Sequence, residues 1–371
     1  MLSTSCLILS GVGLVNLDTI IAIIKLINIP IVPIPSGEIP NNGKDDDANG
    51  YIDDINGWNF LGDADKEQLE YVRLIASGDT SNPRFTEAQK LLSKELEKTK
   101  RDITQYENIL KPIKESHAGI VKYLNNPNYA KEDVEAIFTP DWDVLRHVRI
   151  IKQSYDFGFD SIDALIDDLE TGLKTFNTRL DYNLNLAYDG RSVVGDNPED
   201  LQDRTYGDND VRARHGRTHG THVSGIIAAK RHNGIGINGA ANRVKIMAIR
   251  NTPSGDEYDK DVALGVYYAV DNGAKVINMS FGKQFSTHSN WVRDAIAYAA
   301  KNDVLIVAAA GNDAQNTDEI NYFPNDQIDN GEEVSNTFLK VGSIGPKYGS
   351  TMVASYSNYG KNTVDVFAPG S

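Results

Sequence analysis

The run Val304-Leu305-Ile306-Val307-Ala308-Ala309 constrains the fold most. It reads as a strand with no polar alternation, and such a strand is buried on both faces of its sheet. Residues 275–280 and 244–249 read as two further strands, and residues 364–368 as a short last one. Helical segments alternate with them. Residues 261–272 are closed by Gly273, and residues 291–302 carry an apolar face of Val292, Ala295, Ile296 and Ala299. Strands alternating with helices specify an α/β fold, a parallel sheet covered on both faces.

Three segments on this frame carry chemistry. The first is His219-Gly220-Thr221-His222-Val223-Ser224-Gly225-Ile226-Ile227-Ala228-Ala229, a histidine opening a small-residue helix. The small residues let that helix lie close against a neighbour, and a histidine in its first turn faces a cleft, on the rigid support a general base needs. The second is Val307-Ala308-Ala309-Ala310-Gly311-Asn312. An Asn leaving a buried strand at the carboxyl edge of a parallel sheet lies where α/β folds bind ligands, and its side-chain NH2 donates to a developing oxyanion. The third is Ile277-Asn278-Met279-Ser280-Phe281-Gly282, a strand running into small residues where a peptide can pair as an added strand. Each taken alone also fits a plain helix start, turn or loop.

In their order along the chain, HGTHVSG, VINMSFG and VAAAGN resemble the subtilisin-like serine peptidases, the subtilases. The resemblance covers residues 205–371 firmly and extends more loosely to the loop of residues 37–62. It implies a subtilisin-like parallel sheet flanked by helices, with an α-helical insertion before the catalytic histidine. His219 then matches the catalytic base, and His222 the family's second histidine, read as packing. Asn312 matches the oxyanion donor. Ser280, Phe281 and Gly282 match the substrate-pairing strand, and Ala309, Ala310 and Gly311 a wall of the pocket for the residue before the cleaved bond.

The family's triad runs Asp, His, Ser along the chain. Its aspartate follows an apolar strand and precedes Ser/Thr-Gly, expected here roughly 15–25 residues before Gly37. No Asp-Ser-Gly or Asp-Thr-Gly occurs there, and Asp18 precedes Thr19-Ile20. The serine sits in a Gly-Thr-Ser-Met-Ala-type turn, which does not occur before Ser371. Without the serine there is no nucleophile. Without the aspartate the imidazole tautomer is unsupported. The sequence therefore predicts a fragment, inactive alone, whose sheet lacks its first strand.

Residues 1–36 form an atypical apolar stretch, open to three readings: a signal or anchor, a transmembrane helix, or out-of-frame translation. Asp18, Lys25 and Pro30 interrupt any apolar run of about 20 residues. Residues 37–63 are an acidic Gly/Asn/Asp loop, and residues 64–190 a helical insertion. Residues 191–371 form the partial peptidase domain. In the insertion, Leu92, Leu96, Thr99, Ile103, Tyr106, Leu110 and Ile113 make one helical stripe, broken at Asn125-Asn126-Pro127-Asn128. Ile162, Ile166, Leu169, Leu173, Phe176 and Leu180 make another, capped at Asp160 or Ser161, with a shorter helix expected around residues 132–138.

The acidic loop has calcium character. Asp45, Asp47 and Asn49 offer oxygens at alternating positions, Gly50 follows, Tyr51 offers a carbonyl, and Asp53 stands at the next ligand position, as in the first half of an EF-hand loop. Asn56 replaces the expected twelfth-position Glu, leaving Asp54 as its substitute. Asp196, Asp208 and Asp210 read as an acidic loop. A net charge of −15 argues against non-specific nucleic-acid binding. A single cysteine, Cys6, excludes an intrachain disulfide. The partner implied is a protein or peptide substrate, with no membrane span and no oligomeric state specified, in an extracellular or periplasmic setting. Two alternatives compete with the peptidase reading: a non-catalytic peptide-binding module, and an interaction protein working through its helical insertion.

Overall fold

The computed structural model describes residues 4–9, 37–212, 218–328 and 331–370. The chain forms two compact units, residues 79–186 and the remainder.

The larger unit is built on one seven-stranded sheet: β1 (Thr4–Leu9), β2 (Gly57–Asn59), β3 (Val244–Arg250), β4 (Val276–Met279), β5 (Leu305–Ala309), β6 (Phe338–Ile344) and β7 (Val366–Pro369). Their order is β2-β3-β1-β4-β5-β6-β7, and every pair is parallel. The unit's helices are α1 (Glu70–Ser77), α6 (Arg191–Val194), α7 (His219–Ala228), α8 (Asp259–Asp271) and α9 (Ser289–Lys301). Alternate strand residues face opposite layers. Met247, Ile249, Ile277, Ile306 and Ala308 join the core beneath α8 and α9, while Val276, Val307 and Val341 pack with Val223 and Ile227 of α7. This two-sided burial is why the strands read as continuous apolar runs.

One expectation is corrected: the sheet does not lack its first strand. Thr4–Leu9 lies at its centre, in register with β3 through Leu9↔Ile249 and with β4 through Leu9↔Met279. The apolar run Cys6–Leu9 is what a central strand needs. The other readings of residues 1–36, and those of Asp18 and Ser371, lie outside the described residues.

The second unit contains α2 (Phe85–Leu124), α3 (Lys131–Glu135), α4 (Trp142–Tyr155) and α5 (Ile162–Thr178). Leu92, Thr99, Leu110 and Ile113 of the first stripe are buried, and Asn125 ends α2 in the left-handed conformation at φ 50°. Ser161 caps α5 by accepting from the Ala164 amide at 3.1 Å. Helix α4 was not expected, although Asp141 supplies a cap, accepting from the Asp143 amide at 2.9 Å. Its His147 ring packs onto α2 at Gly119, where an added Cβ would lie 2.4 Å from that ring.

Candidate active site

The ladder between β4 and β5 stops at Met279 and Ala308, at the carboxyl ends of both strands. Ser280 and Phe281 are buried and Gly282 is half-buried. Asn278 donates from Nδ2 to Ser280 Oγ at 2.9 Å and fixes the strand end. His219 is the first residue of α7, and its Nε2 lies 3.1 Å from the Ser280 carbonyl. The structure thus joins His219 to the predicted pairing strand. A carbonyl only accepts, so His219 donates from Nε2. Burial pushes this imidazole below its ordinary pKa. The Ser280 carbonyl opposes that shift, and His222 adds to it. The ring is therefore held neutral near pH 7, protonated on Nε2.

His222 is exposed rather than packed. The buried positions of α7 are Val223 and Ile227, one turn apart, and His222 falls off their face. Among the described residues, a Cβ added at Gly225 meets nothing within 4 Å.

Ala309 closes β5, and Ala310 and Gly311 lead to Asn312. The turn is held by Asn358, fully buried, which sequence reasoning missed. Its Nδ2 donates to the Ala310 carbonyl at 2.9 Å. Its Oδ1 accepts from the amides of Asp313 at 2.9 Å and Gln315 at 3.0 Å. Tyr322 was missed too: its hydroxyl donates to the Gly282 carbonyl at 3.2 Å. Neither residue stands in a local pattern that marks it.

The acidic loop brings two of the expected ligands, Asp45 and Asp47, together with a third carboxylate. Carboxylate oxygens of Glu38, Asp45 and Asp47 lie within 4.8 Å of one another, and Glu38 was not anticipated. Asn49 turns its Oδ1 to the Tyr51 amide at 2.8 Å and its Nδ2 to Asp54 at 2.9 Å. Asp53 accepts from the amides of Asn42 at 3.0 Å and Gly43 at 2.9 Å, closing a turn. The Tyr51 ring packs against Trp58 and Tyr268. Asp54 is fully buried. Its Oδ2 accepts from the Tyr268 hydroxyl at 2.6 Å, and its Oδ1 has no partner among the described residues. This all-oxygen donor set with an orphaned buried carboxylate oxygen fits a hard cation such as Ca2+. The second acidic stretch is not a plain loop: the Asp196 side chain is buried between Arg191 and Lys260, and Asp208 accepts from Asn59 Nδ2 at 2.8 Å.

Residues 161–371 match the subtilase family, peptidase S8. The chain belongs to the subtilase family. It is 37% identical over 164 residues to the thermophilic serine proteinase of Bacillus sp. (strain AK1), covering 44% of this chain and 37% of that protein. It is 35% identical over 211 residues to the cell wall-associated protease of Bacillus subtilis (strain 168), covering 56% of this chain and 20% of that protein. Thermitase of Thermoactinomyces vulgaris is 36% identical over 184 residues, covering 48% of this chain and 60% of that protein. The chain thus spans between a fifth and three fifths of the length of these three relatives. Among solved structures, a protease of Pseudoalteromonas arctica PAMC 21717 aligns at 34% identity and a TM-score of 0.33, covering 40% of this chain and 43% of that one. Among the described residues, no helix is long and apolar enough to cross a membrane.

Proposed function

We propose that this subtilase chain carries the peptide-binding cleft, the general base and the oxyanion donor of a subtilisin-like serine endopeptidase. We propose further that the 371-residue polypeptide taken alone binds peptides without cleaving them. The observation that carries this reading is the His219 Nε2 contact with the Ser280 carbonyl, 3.1 Å, on the strand a substrate would join.

In triad chemistry the imidazole takes the serine proton on Nε2 while a carboxylate holds the Nδ1 proton. His219 is arranged the other way, with its proton on Nε2. To act as a base it must shift that proton to Nδ1, and a carboxylate there would favour the shift. Helix α7 packs beside β1. That strand ends at Leu9, followed in sequence by Ser10-Gly11. Leu9 thus holds the chain position that the family's aspartate holds in Asp-Ser/Thr-Gly, and leucine supplies no carboxylate. The 371 residues also contain no Gly-Thr-Ser turn. When a serine attacks a bound peptide, the Asn312 amide would donate to the developing oxyanion. The names of the relatives, one of them cell wall-associated, support a substrate met outside the cytoplasm.

A tetrapeptide ending in a free carboxylate is expected to slow amide exchange at Ser280–Gly282, and a chromogenic peptide is expected to stay intact. Hydrolysis well above blank would overturn the non-cleaving part. Unchanged exchange at saturating peptide would overturn the cleft.

Calcium at Glu38, Asp45 and Asp47, with Asp54 behind them, is a further part of the proposal. The ion would supply charge neutralisation to this loop, and it would stabilise the fold by about 2.7 kcal/mol at a hundredfold excess over Kd. Calorimetric titration with CaCl2 should give saturable heat and a higher Tm, both lost in Asp47→Ala. Equal heats from the two proteins would end the idea.

A further inference from the structure

Resting on that cleft reading, we infer that Tyr322 closes the pocket for the residue before the cleaved bond, so that the chain selects peptides with a small side chain there: Gly, Ala or Ser. The two pocket walls are Ser280–Gly282 and Ala309–Gly311, and both meet the same tyrosine ring. A Cβ added at Gly282 would lie 2.5 Å from Tyr322 Cε1. One added at Gly311 would lie 2.6 Å from Cζ and 2.8 Å from Cε1 of that ring. Real Cβ atoms do not approach so closely, so glycine at both positions is what lets the ring lie between the walls. The space a large substrate side chain would need is already filled.

The ring is held there. Its hydroxyl donates to the Gly282 carbonyl at 3.2 Å, which ties it to one wall. Its backbone is fixed from behind by Lys340, a buried lysine whose Nζ donates to the Tyr322 carbonyl at 2.6 Å and the Pro324 carbonyl at 2.7 Å. The next residue, Phe323, exchanges two backbone hydrogen bonds with Lys283, at 2.8 and 2.9 Å. An anchored obstacle discriminates by size, because an oversized side chain must displace a packed ring together with its hydrogen bond. On the opposite wall, Asn358 keeps Gly311 at φ 105°, a conformation that admits little but glycine.

The test is fluorescence polarisation with labelled Phe-Ala-Ala-X peptides bearing a free carboxylate, X being Gly, Ala, Val, Leu or Phe. The unaltered chain should bind X = Ala at least tenfold tighter than X = Phe, with affinity falling as size grows. Tyr322→Phe keeps the ring and should keep the order. Tyr322→Ala empties the slot and should bring X = Phe level with or above X = Ala. Should Tyr322→Ala not fold, the size series on the unaltered chain decides alone. Equal or tighter binding of X = Phe by the unaltered chain overturns the inference and leaves the cleft reading intact. Failure of every peptide to bind overturns the cleft reading and this inference with it.

Discussion

Gly57→Ala is expected to destabilise the larger unit by about 2–6 kcal/mol, from backbone strain and overpacking acting together. Gly57 opens β2 at φ 117°, where an L side chain is strained. A Cβ there would also lie 1.9 Å from the Ala248 carbonyl oxygen, and 2.7 and 2.8 Å from Ala248 C and N. Those atoms belong to β3, whose other neighbour is β1, so they cannot retreat without disturbing the sheet. Ala248 is the register partner of Gly57 and donates its amide to the Asn56 carbonyl at 2.8 Å. Relief of the clash therefore breaks the pairing of β2 with β3. Gly43→Ala is the control: φ there is 72° and nothing among the described residues lies within 4 Å of the added Cβ. It should cost only the conformational part, about 1–2 kcal/mol. Urea unfolding of both variants measures the difference, and a Gly57→Ala loss no larger than that of Gly43→Ala would refute the steric account.

The elements legible in the sequence are those whose pattern is local. Strand β5 and helices α2 and α5 show in their apolar spacing, and the caps at Ser161 and Asn125 in their residue types. Strand β6 was missed because Lys340, Gly342 and Ser343 interrupt it. The sequence cannot show that Lys340 is buried with its Nζ donating to two carbonyls. Strand β2 has three residues, too few for any period. The first strand was hidden for another reason: its run Cys6–Leu9 is apolar enough, but it ends in Leu9 and not in the aspartate by which the family's first strand is marked. At the site, His219, Asn312 and Ser280 were found through motifs. Tyr322 and Asn358 meet them only through the fold, 40 and 46 residues away from Gly282 and Asn312 respectively. Glu38 escaped the calcium reading because it precedes the EF-hand-like spacing and joins it by a turn.

The same limit hid the buried charge network that ties residues 191–203 to the start of α8, and removing its centre should have an effect of comparable size. Arg191 is 4% exposed and engages two fully buried carboxylates. It reaches Asp261 with two nitrogens, at 2.7 and 3.2 Å, and it also pairs with Asp196. Lys260 Nζ holds Asp196 from the other side at 2.8 Å and reaches the Asn197 carbonyl at 2.7 Å. The Tyr206 hydroxyl completes Asp261 at 2.6 Å. Burial pushes the Asp261 carboxyl up, and the Arg191 guanidinium opposes that most strongly. In Arg191→Met, Asp261 loses its only cationic partner among the described residues, and Asp196 keeps Lys260. A buried charge left unpaired costs about 3–5 kcal/mol, more than the pair itself contributes, because the desolvation is no longer offset. Adding Asp261→Asn to Arg191→Met removes the stranded charge while leaving an acceptor for Tyr206. The double variant should therefore be more stable than Arg191→Met alone, a coupling of opposite sign from that of two unrelated lesions. Because α8 leads directly into β4, the single variant should also loosen Ser280–Gly282, read as faster amide exchange there. A loss below about 1 kcal/mol in Arg191→Met, the range of an exposed pair, would show that the network contributes little, and a double variant less stable than the single would refute the stranded-charge explanation.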